Sequence, residues 1–263
     1  MSGRGLVVLK LGGSAITDKK ERFKPDLKAI ERLAGEIAAS GVRELVLVHG
    51  GGSFGHPLAQ DYSIKEGFKG PWQLRGLAET HLAMEELNKL VVKALLAEGL
   101  PAVPLPPFSC FTTREGRIAK AFLEPLRGLM ELGAIPVLYG DVVMDESLGF
   151  TILSGDQIVA YLALTLRASR VVLALAVEGV FTRDPNLYPD AVLVPRLRPG
   201  ELNRVEAGGA AAIDVTGGMG KKLREMAPVA SAGIPVFFTS AKVPGNEEKA
   251  LRGEKVKGTL LAP

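Results

Sequence analysis

The sequence predicts an α/β protein built on a mainly parallel sheet with helices on both faces, and three observations support that prediction. Short apolar runs that do not alternate with polar residues recur along the chain, as strands buried on both faces require. Segments with apolar residues at helical spacing stand between them. Glycine-rich turns close several of the runs, namely Gly12-Gly13, Gly50 to Gly52, Gly140-Asp141 and Gly179. Such sheets bind ligands beyond the carboxyl ends of their strands.

Residues 6–9 are the first expected strand, broken by Gly12-Gly13. Leu27, Ile30, Leu33, Ala34 and Ile37 then repeat at helical spacing after Pro25-Asp26, and Gly41 stands where that helix should stop. Residues 45–48 form the second strand. The long helical pattern over 74–96 ends at Gly99-Leu100-Pro101. Further strands are expected over 102–103, 135–139, 171–177 and 236–239, with helices over 124–132, 156–166 and 221–232. Residues 142–152 read as a hairpin turning at 145–149. Residues 182–215, rich in Pro, Asp, Arg and Gly, read as loops with short elements.

At 263 residues and 47% hydrophobic, the chain can bury a large core in a single domain. The expected division is into two lobes, over about 1–150 and 151–263. The 32 basic and 29 acidic residues give a net charge of +3, too balanced for nucleic-acid binding by charge alone. Cys110 is the single cysteine, which rules out an internal disulfide and predicts an inert thiol among apolar neighbours. The start Met1-Ser2-Gly3-Arg4 leads into a run too short for a signal-peptide core. The apolar runs 158–166 and 171–177 are split by Arg167 and Arg170, well short of the roughly 20 residues that span a bilayer. A cytoplasmic protein without membrane contact is expected.

Four clusters carry chemistry. HGGGSFGH at 49–56 leaves the second strand with three glycines, whose N–H groups can point together at an anion. A histidine at each end adds a donor whose charge can change near neutral pH. The cluster contains G-x-G-x-x-G at Gly50, Gly52 and Gly55. A dinucleotide fingerprint, however, should follow the first strand and open directly into a helix, whereas here His56-Pro57 comes next. Lys10-Leu11-Gly12-Gly13-Ser14, with Lys19 beyond, places an ammonium at a strand end beside a Gly-Gly turn. Leu153-Ser154-Gly155-Asp156-Gln157 puts Asp156 at a helix start, as an N-terminal cap, an organiser of lysines, or both. In Asp214 to Lys222, a Thr-Gly-Gly turn opens a helix with lysines expected in its first turn. Two anion loops, two lysine groups and an organising aspartate converge on phosphoryl transfer, which needs positioning and charge neutralisation more than a nucleophile. No G-x-S-x-G is present, and His49, His56 and His81 lack metal-ligand spacing.

KLGGSAITDK (10–19), HGGGSFGH (49–56), GDVV (140–143), SGDQIVAYLA (154–163), VEGVFTRDP (177–185) and DVTGGMGKK (214–222) together resemble the amino acid kinase superfamily in order and spacing across nearly the whole chain. The closest likeness is to its isopentenyl phosphate kinase branch, whose mark is the histidine ending HGGGSFGH. The resemblance implies an open αβα sandwich, a homodimer, and ATP- and Mg²⁺-dependent phosphorylation of isopentenyl phosphate to the diphosphate. It assigns transfer to Lys10, Lys19, His56, Asp156 and Lys222. It places the acceptor phosphate on Gly50, Gly51, Gly52, His56 and Gly155. Lys10, Gly12, Gly13, Ser14, Thr216, Gly217, Lys221 and Lys222 face the nucleotide. Relatives commonly carry Asp-Val-Asp-Gly where this chain has Ala176-Val177-Glu178-Gly179, and some carry a lysine at Gly220, so the phosphate contact rests on Lys221 or Lys222. The isoprenoid tail should meet an apolar wall within 68–90, with Phe68, Trp72, Leu82 and Met84 as candidates. Uridylate kinases, fosfomycin-type phosphonate kinases and glutamate or acetylglutamate kinases are the rivals within the superfamily. A non-catalytic nucleotide-binding regulator is the rival outside it.

Overall fold

β1 (Val7–Leu11) is a central strand of an eight-stranded sheet, and its residues are buried throughout. The computed structural model describes residues 5–18, 20–185, 187–201 and 217–263. On one side β1 pairs in parallel with β2 (Leu45–His49), followed by β6 (Ile135–Tyr139) and β3 (Ala102–Pro104). On the other side come β9 (Arg170–Leu175) and β11 (Val236–Ser240), also parallel. Only then does β12 (Gly258–Leu261) run antiparallel, with the short β10 (Arg196–Leu197) at the edge. The six parallel strands therefore end at one edge, where the glycine turns gather.

Side chains alternate across this sheet. Val7, Leu9 and Leu11 enter a core shared with α2 (Leu27–Ser40), α4 (Trp72–Ala97) and α9 (Asn246–Arg252). Val8 enters the opposite core, with α7 (Gly155–Thr165) and α8 (Gly217–Ser231). Helix α2 begins where the Asp26 carboxylate accepts from Ala29 N–H at 3.0 Å and ends at left-handed Gly41. Within α4, Met84, Leu87, Val91 and Leu95 form the buried stripe. Truncating Leu87, which is fully buried, costs about 2–5 kcal/mol by the usual cavity penalty.

The expected hairpin over 142–152 is present as β7 (Asp141–Asp145) and β8 (Gly149–Leu153). A second hairpin, β4 (Phe111–Arg114) and β5 (Arg117–Ala121), was not anticipated and completes a four-stranded sheet beside the first. Asp145 ties the two hairpins together. Its carboxylate accepts from Gly116, Ser147 and Leu148 N–H and from the Thr113 hydroxyl. Burial alone would raise its pKa, but these donors prevail and hold it at about 2.

Two helices follow the glycine turns directly. The turn after β1 opens α1 (Gly13–Ile16), and the turn after β2 opens α3 (Gly52–Asp61). The triple-glycine segment is thus a helix entrance, contrary to the expectation drawn from Pro57. Proline inside a helix removes the N–H that would bond the carbonyl four residues back. Here that carbonyl belongs to Ser53, and the Phe23 N–H bonds it instead at 3.1 Å. Apolar burial of Phe54 and Leu58 supplies the rest of the helix's stability. What still separates the turn from a dinucleotide fingerprint is its place after the second strand.

Candidate active site

Lys10 is one pleat beyond Val8, so its side chain points toward the N-terminus of α7 rather than ending the strand in solvent. It is 3% exposed, and its Nζ lies 3.1 Å from Asp156 Oδ1. The N-cap of α7 is Ser154, whose hydroxyl accepts from Gln157 N–H at 3.2 Å, not Asp156. Relieved of capping, the Asp156 carboxylate turns its second oxygen to Lys222, whose Nζ donates at 2.8 Å. One carboxylate thus holds two ammonium groups from opposite sides, Lys10 from the central strand and Lys222 from α8.

The charges shift one another. Burial pushes Lys10 down to about 8, opposed by the attraction of Asp156 and assisted by repulsion from Lys222. For Asp156, burial works to raise the pKa, but the two ammonium groups prevail and hold it below the ordinary carboxylate range. Helix α8 opens at Gly217, so Lys221 and Lys222 sit in its second turn and not its first. Placed there, they do not oppose the helix dipole as lysines in the first turn would.

The two glycine turns meet beneath this triad. A Cβ added at Gly50 would lie 2.6 Å from the Gly13 N, and Gly52 adopts φ +49°. Backbones at this separation leave no room for side chains. The Gly50 N–H donates to the Leu11 carbonyl at 2.9 Å, which fixes the turn. The amides of Gly51 and Gly52 stand at the head of α3, and those of Gly13 and Ser14 at the head of α1. First-turn amides have no partner within their own helices, so this is an arrangement suited to phosphate oxygens.

A cavity of about 690 Å³ holds these elements, lined by Lys10, Gly12, Gly13, Ser14, Gly50, Gly51, Gly52, His56, Gly155, Asp156 and Lys222. It shares His56, Ile152, Ser154, Asp156 and Lys222 with a second cavity of about 1140 Å³ between α3, α7, α8 and β5. Lys221 lines only the larger one. Across the larger cavity Arg117 of β5 holds Glu225 of α8 with two nitrogens, at 2.5 and 3.0 Å. Lys19 and Thr216 lie outside the described residues.

Two expectations need correction. His49 does not titrate near neutrality. It is fully buried, with Nδ1 3.1 Å from the Gly50 carbonyl and its ring stacked on Tyr139, and desolvation lowers its pKa to about 4. Phe68, Trp72 and Leu82 are exposed and line neither cavity, because the α4 face turned to the site carries Thr80 and Met84. Glu178 is held by Lys257 at 2.8 Å, away from both cavities. Sequence reasoning missed Asp141 of the GDVV run, which lines the smaller cavity while His81 Nδ1 pairs with it at 2.8 Å. It also missed the Arg117–Glu225 bridge. Among the described residues no group of His, Cys, Asp or Glu could hold a metal ion, and no helix is long and apolar enough to cross a membrane. Cys110 is buried, as expected.

The model of the amino acid kinase family matches residues 5–240. Isopentenyl phosphate kinase from Methanothermobacter thermautotrophicus is 42% identical, with 97% of this chain and 98% of that protein aligned. A solved isopentenyl phosphate kinase structure superposes with a TM-score of 0.87 at 39% identity, covering 98% of this chain and all of the other. Uridylate kinase from Mycobacterium bovis is more distant, 27% identical over 99% of this chain and 89% of its own. With the family model spanning most of the sequence and the two glycine turns meeting under one aspartate and two lysines, the chain belongs to the amino acid kinase family.

Proposed function

We propose that this chain transfers the γ-phosphoryl group of ATP to the phosphate of isopentenyl phosphate, giving isopentenyl diphosphate and ADP. The observation that carries the reading is the Lys10–Asp156–Lys222 triad set over two touching glycine turns. An oxygen of the acceptor phosphate forms the new bond to the γ-phosphorus, while the bond from that phosphorus to the β,γ-bridging oxygen breaks. The acceptor is ionised at neutral pH, so no protein base is needed. The barrier lies in bringing two anions into line, and preorganised donors and ammonium groups lower it.

On this reading the amides of Gly51 and Gly52 and the His56 side chain hold the acceptor phosphate, with Gly50 shaping the turn and Gly155 leaving room for Lys10. Gly12, Gly13, Ser14, Thr216 and Gly217 flank the nucleotide phosphates. Lys10 and Lys222 neutralise the group in flight, with Lys19 assigned beside them, and Asp156 keeps the first two charged and placed. Lys222 takes the nucleotide contact, because Lys221 lines only the larger cavity. Residues 1–150 then serve the acceptor and 151–263 most of the nucleotide, with Gly12, Gly13 and Ser14 crossing that division.

Mg²⁺ supplies further charge neutralisation when bound with ATP. Among the described residues none makes a protein cage for it, since both Asp156 oxygens face lysines and Asp141 faces His81. It is therefore assigned to the nucleotide's own phosphates. The isoprenoid tail is assigned to apolar side chains around Ile152, which both cavities share. A cytoplasmic homodimer completes the proposal.

A coupled ATP-consumption screen over isopentenyl phosphate, dimethylallyl phosphate, fosfomycin, UMP and N-acetylglutamate tests the reading. Turnover is expected with isopentenyl phosphate. Turnover with UMP alone moves the assignment to the uridylate kinase branch, and turnover with none supports a regulator.

A further inference from the structure

Ser53 follows three glycines at an anion-binding turn, where a hydroxyl ordinarily suggests a phosphate or metal contact. Its polar groups are committed elsewhere. Its N–H donates to the Thr17 hydroxyl at 3.0 Å, and that hydroxyl donates to the Gly13 carbonyl at 2.8 Å. Its own hydroxyl donates to the Lys24 carbonyl and accepts from the Lys24 N–H, both at 3.2 Å. Its carbonyl, which Pro57 leaves without a helical partner, accepts from Phe23 N–H at 3.1 Å. Every polar group of Ser53 therefore holds the segment between β1 and α2.

The described residues of that segment, 17–18 and 20–25, close on one another. A bridge between Thr17 and Pro25 joins its ends, and Asp18 N–H bonds the Lys24 carbonyl at 3.0 Å. The Phe23 ring meets Phe54 edge-on at 5.8 Å, while its backbone sits at φ +54°, a conformation costly for a residue with a Cβ. Arg22 reaches Asp61 at the far end of α3 with two nitrogens. Lys20, Glu21 and Arg22 line the phosphate cavity. A strained loop stays in place only where its surroundings over-determine it, and Ser53 supplies the buried half of those surroundings.

We propose that Ser53 is a positioning residue that fixes the 17–25 loop over the phosphate cavity without touching either phosphate, and that Pro57 serves it by leaving its carbonyl free. The consequence for rate rests on the phosphoryl-transfer reading above; the consequence for the loop does not. Loosening groups that surround a reacting centre lowers turnover more than affinity when they matter mainly in the transition state.

The test compares wild type with Ser53→Ala, Ser53→Thr and Pro57→Ala in the full chain. Steady-state kinetics are run with ATP and isopentenyl phosphate. Limited trypsin digestion, without ligands, reads cleavage after Lys20 and Arg22. Ser53→Ala is expected to lower kcat roughly 10-fold or more while either KM moves less than about 3-fold. Cleavage in the loop should rise about 5-fold or more. Ser53→Thr, which keeps the hydroxyl, should restore most of both, and Pro57→Ala should move both in the same direction by less. Should Ser53→Ala fail to fold, Pro57→Ala carries the test alone. A KM for isopentenyl phosphate raised about 10-fold with the loop still protected would make Ser53 a phosphate ligand and overturn the proposal. Unchanged cleavage in Ser53→Ala and Pro57→Ala overturns it equally. If wild type turns over none of the acceptors, the functional reading fails while the digestion still decides whether Ser53 holds the loop.

Discussion

Two carboxylates are withdrawn from solvent in this molecule, Asp156 to 14% side-chain exposure and Glu247 completely, and their surroundings drive them in opposite directions. Asp156 lies between Lys10 and Lys222 and is held below the ordinary range. Glu247, in the first turn of α9, is fully buried where that helix meets α2. Neither of its oxygens has a hydrogen-bond partner in the structure. Desolvation, with Glu36 nearby, pushes its pKa up to about 8, and Arg32 only partly offsets this because it pairs with Glu36. Depth alone therefore says little. The first carboxylate is an ion that organises other ions, while the second carries its proton through most of the physiological range.

Breaking the first arrangement should have the largest effect. Asp156→Ala is expected to lower kcat about 10³-fold, since it removes the shared counter-charge and leaves two ammonium groups facing each other. Steady-state assays beside a thermal melt check that loss of rate is not loss of fold. Lys10→Ala follows, at about 10²- to 10³-fold in kcat, with Lys222→Ala somewhat milder because its side chain is more exposed.

A pH profile sharpens the contrast. Lys10 works as a cation, so kcat/KM, which reports the free enzyme, should fall as pH rises through about 8. Its stability effect has the opposite sense. The folded pKa is depressed below the unfolded value of 10.5, so its contribution is present above that value and is lost as pH falls through about 8. A rate profile flat to pH 10 would show that Lys10 keeps its proton there and that its pKa is not depressed.

The smallest effect on activity belongs to Glu247→Gln, with turnover expected within about 2-fold of wild type. Its signature is thermal. Because the folded pKa of Glu247 is raised, its contribution is intact below the unfolded value of 4.5 and is lost as pH rises through about 8. Melting temperatures of variant and wild type should thus coincide near pH 4 and separate progressively up to pH 8, with the variant higher. A constant gap across that range would show that Glu247 is not the titrating group.

Much of the sheet was legible because its strands are apolar runs, and the site was legible where glycines and lysines stand at their ends. Alternation from Val8 also accounts for where Lys10 points. The β4–β5 hairpin escaped because Thr112, Arg114, Arg117 and Lys120 break any apolar run, and Asp145 holds it from outside its own sequence. Helix α3 escaped because its glycines and proline argue against a helix locally, while the compensating bond comes from Phe23, thirty positions upstream of Ser53. The Arg117–Glu225 bridge spans 108 positions and leaves no local trace. Glu247 escaped for a different reason, since Glu247-Glu248 at a helix start looks like an ordinary solvated dipole partner.

Gly155 presses its missing side chain against the Lys10 stem. A Cβ there would come within 3.2 Å of Lys10 Cε, tight enough to displace the stem by a few tenths of an ångström. Gly155→Ala is therefore a fine adjustment screw for the ammonium, moving a charge sideways while its sign and its counter-ion stay the same. Few sites allow distance to be varied apart from charge, and this one makes the sensitivity of the transfer to sub-ångström placement directly measurable.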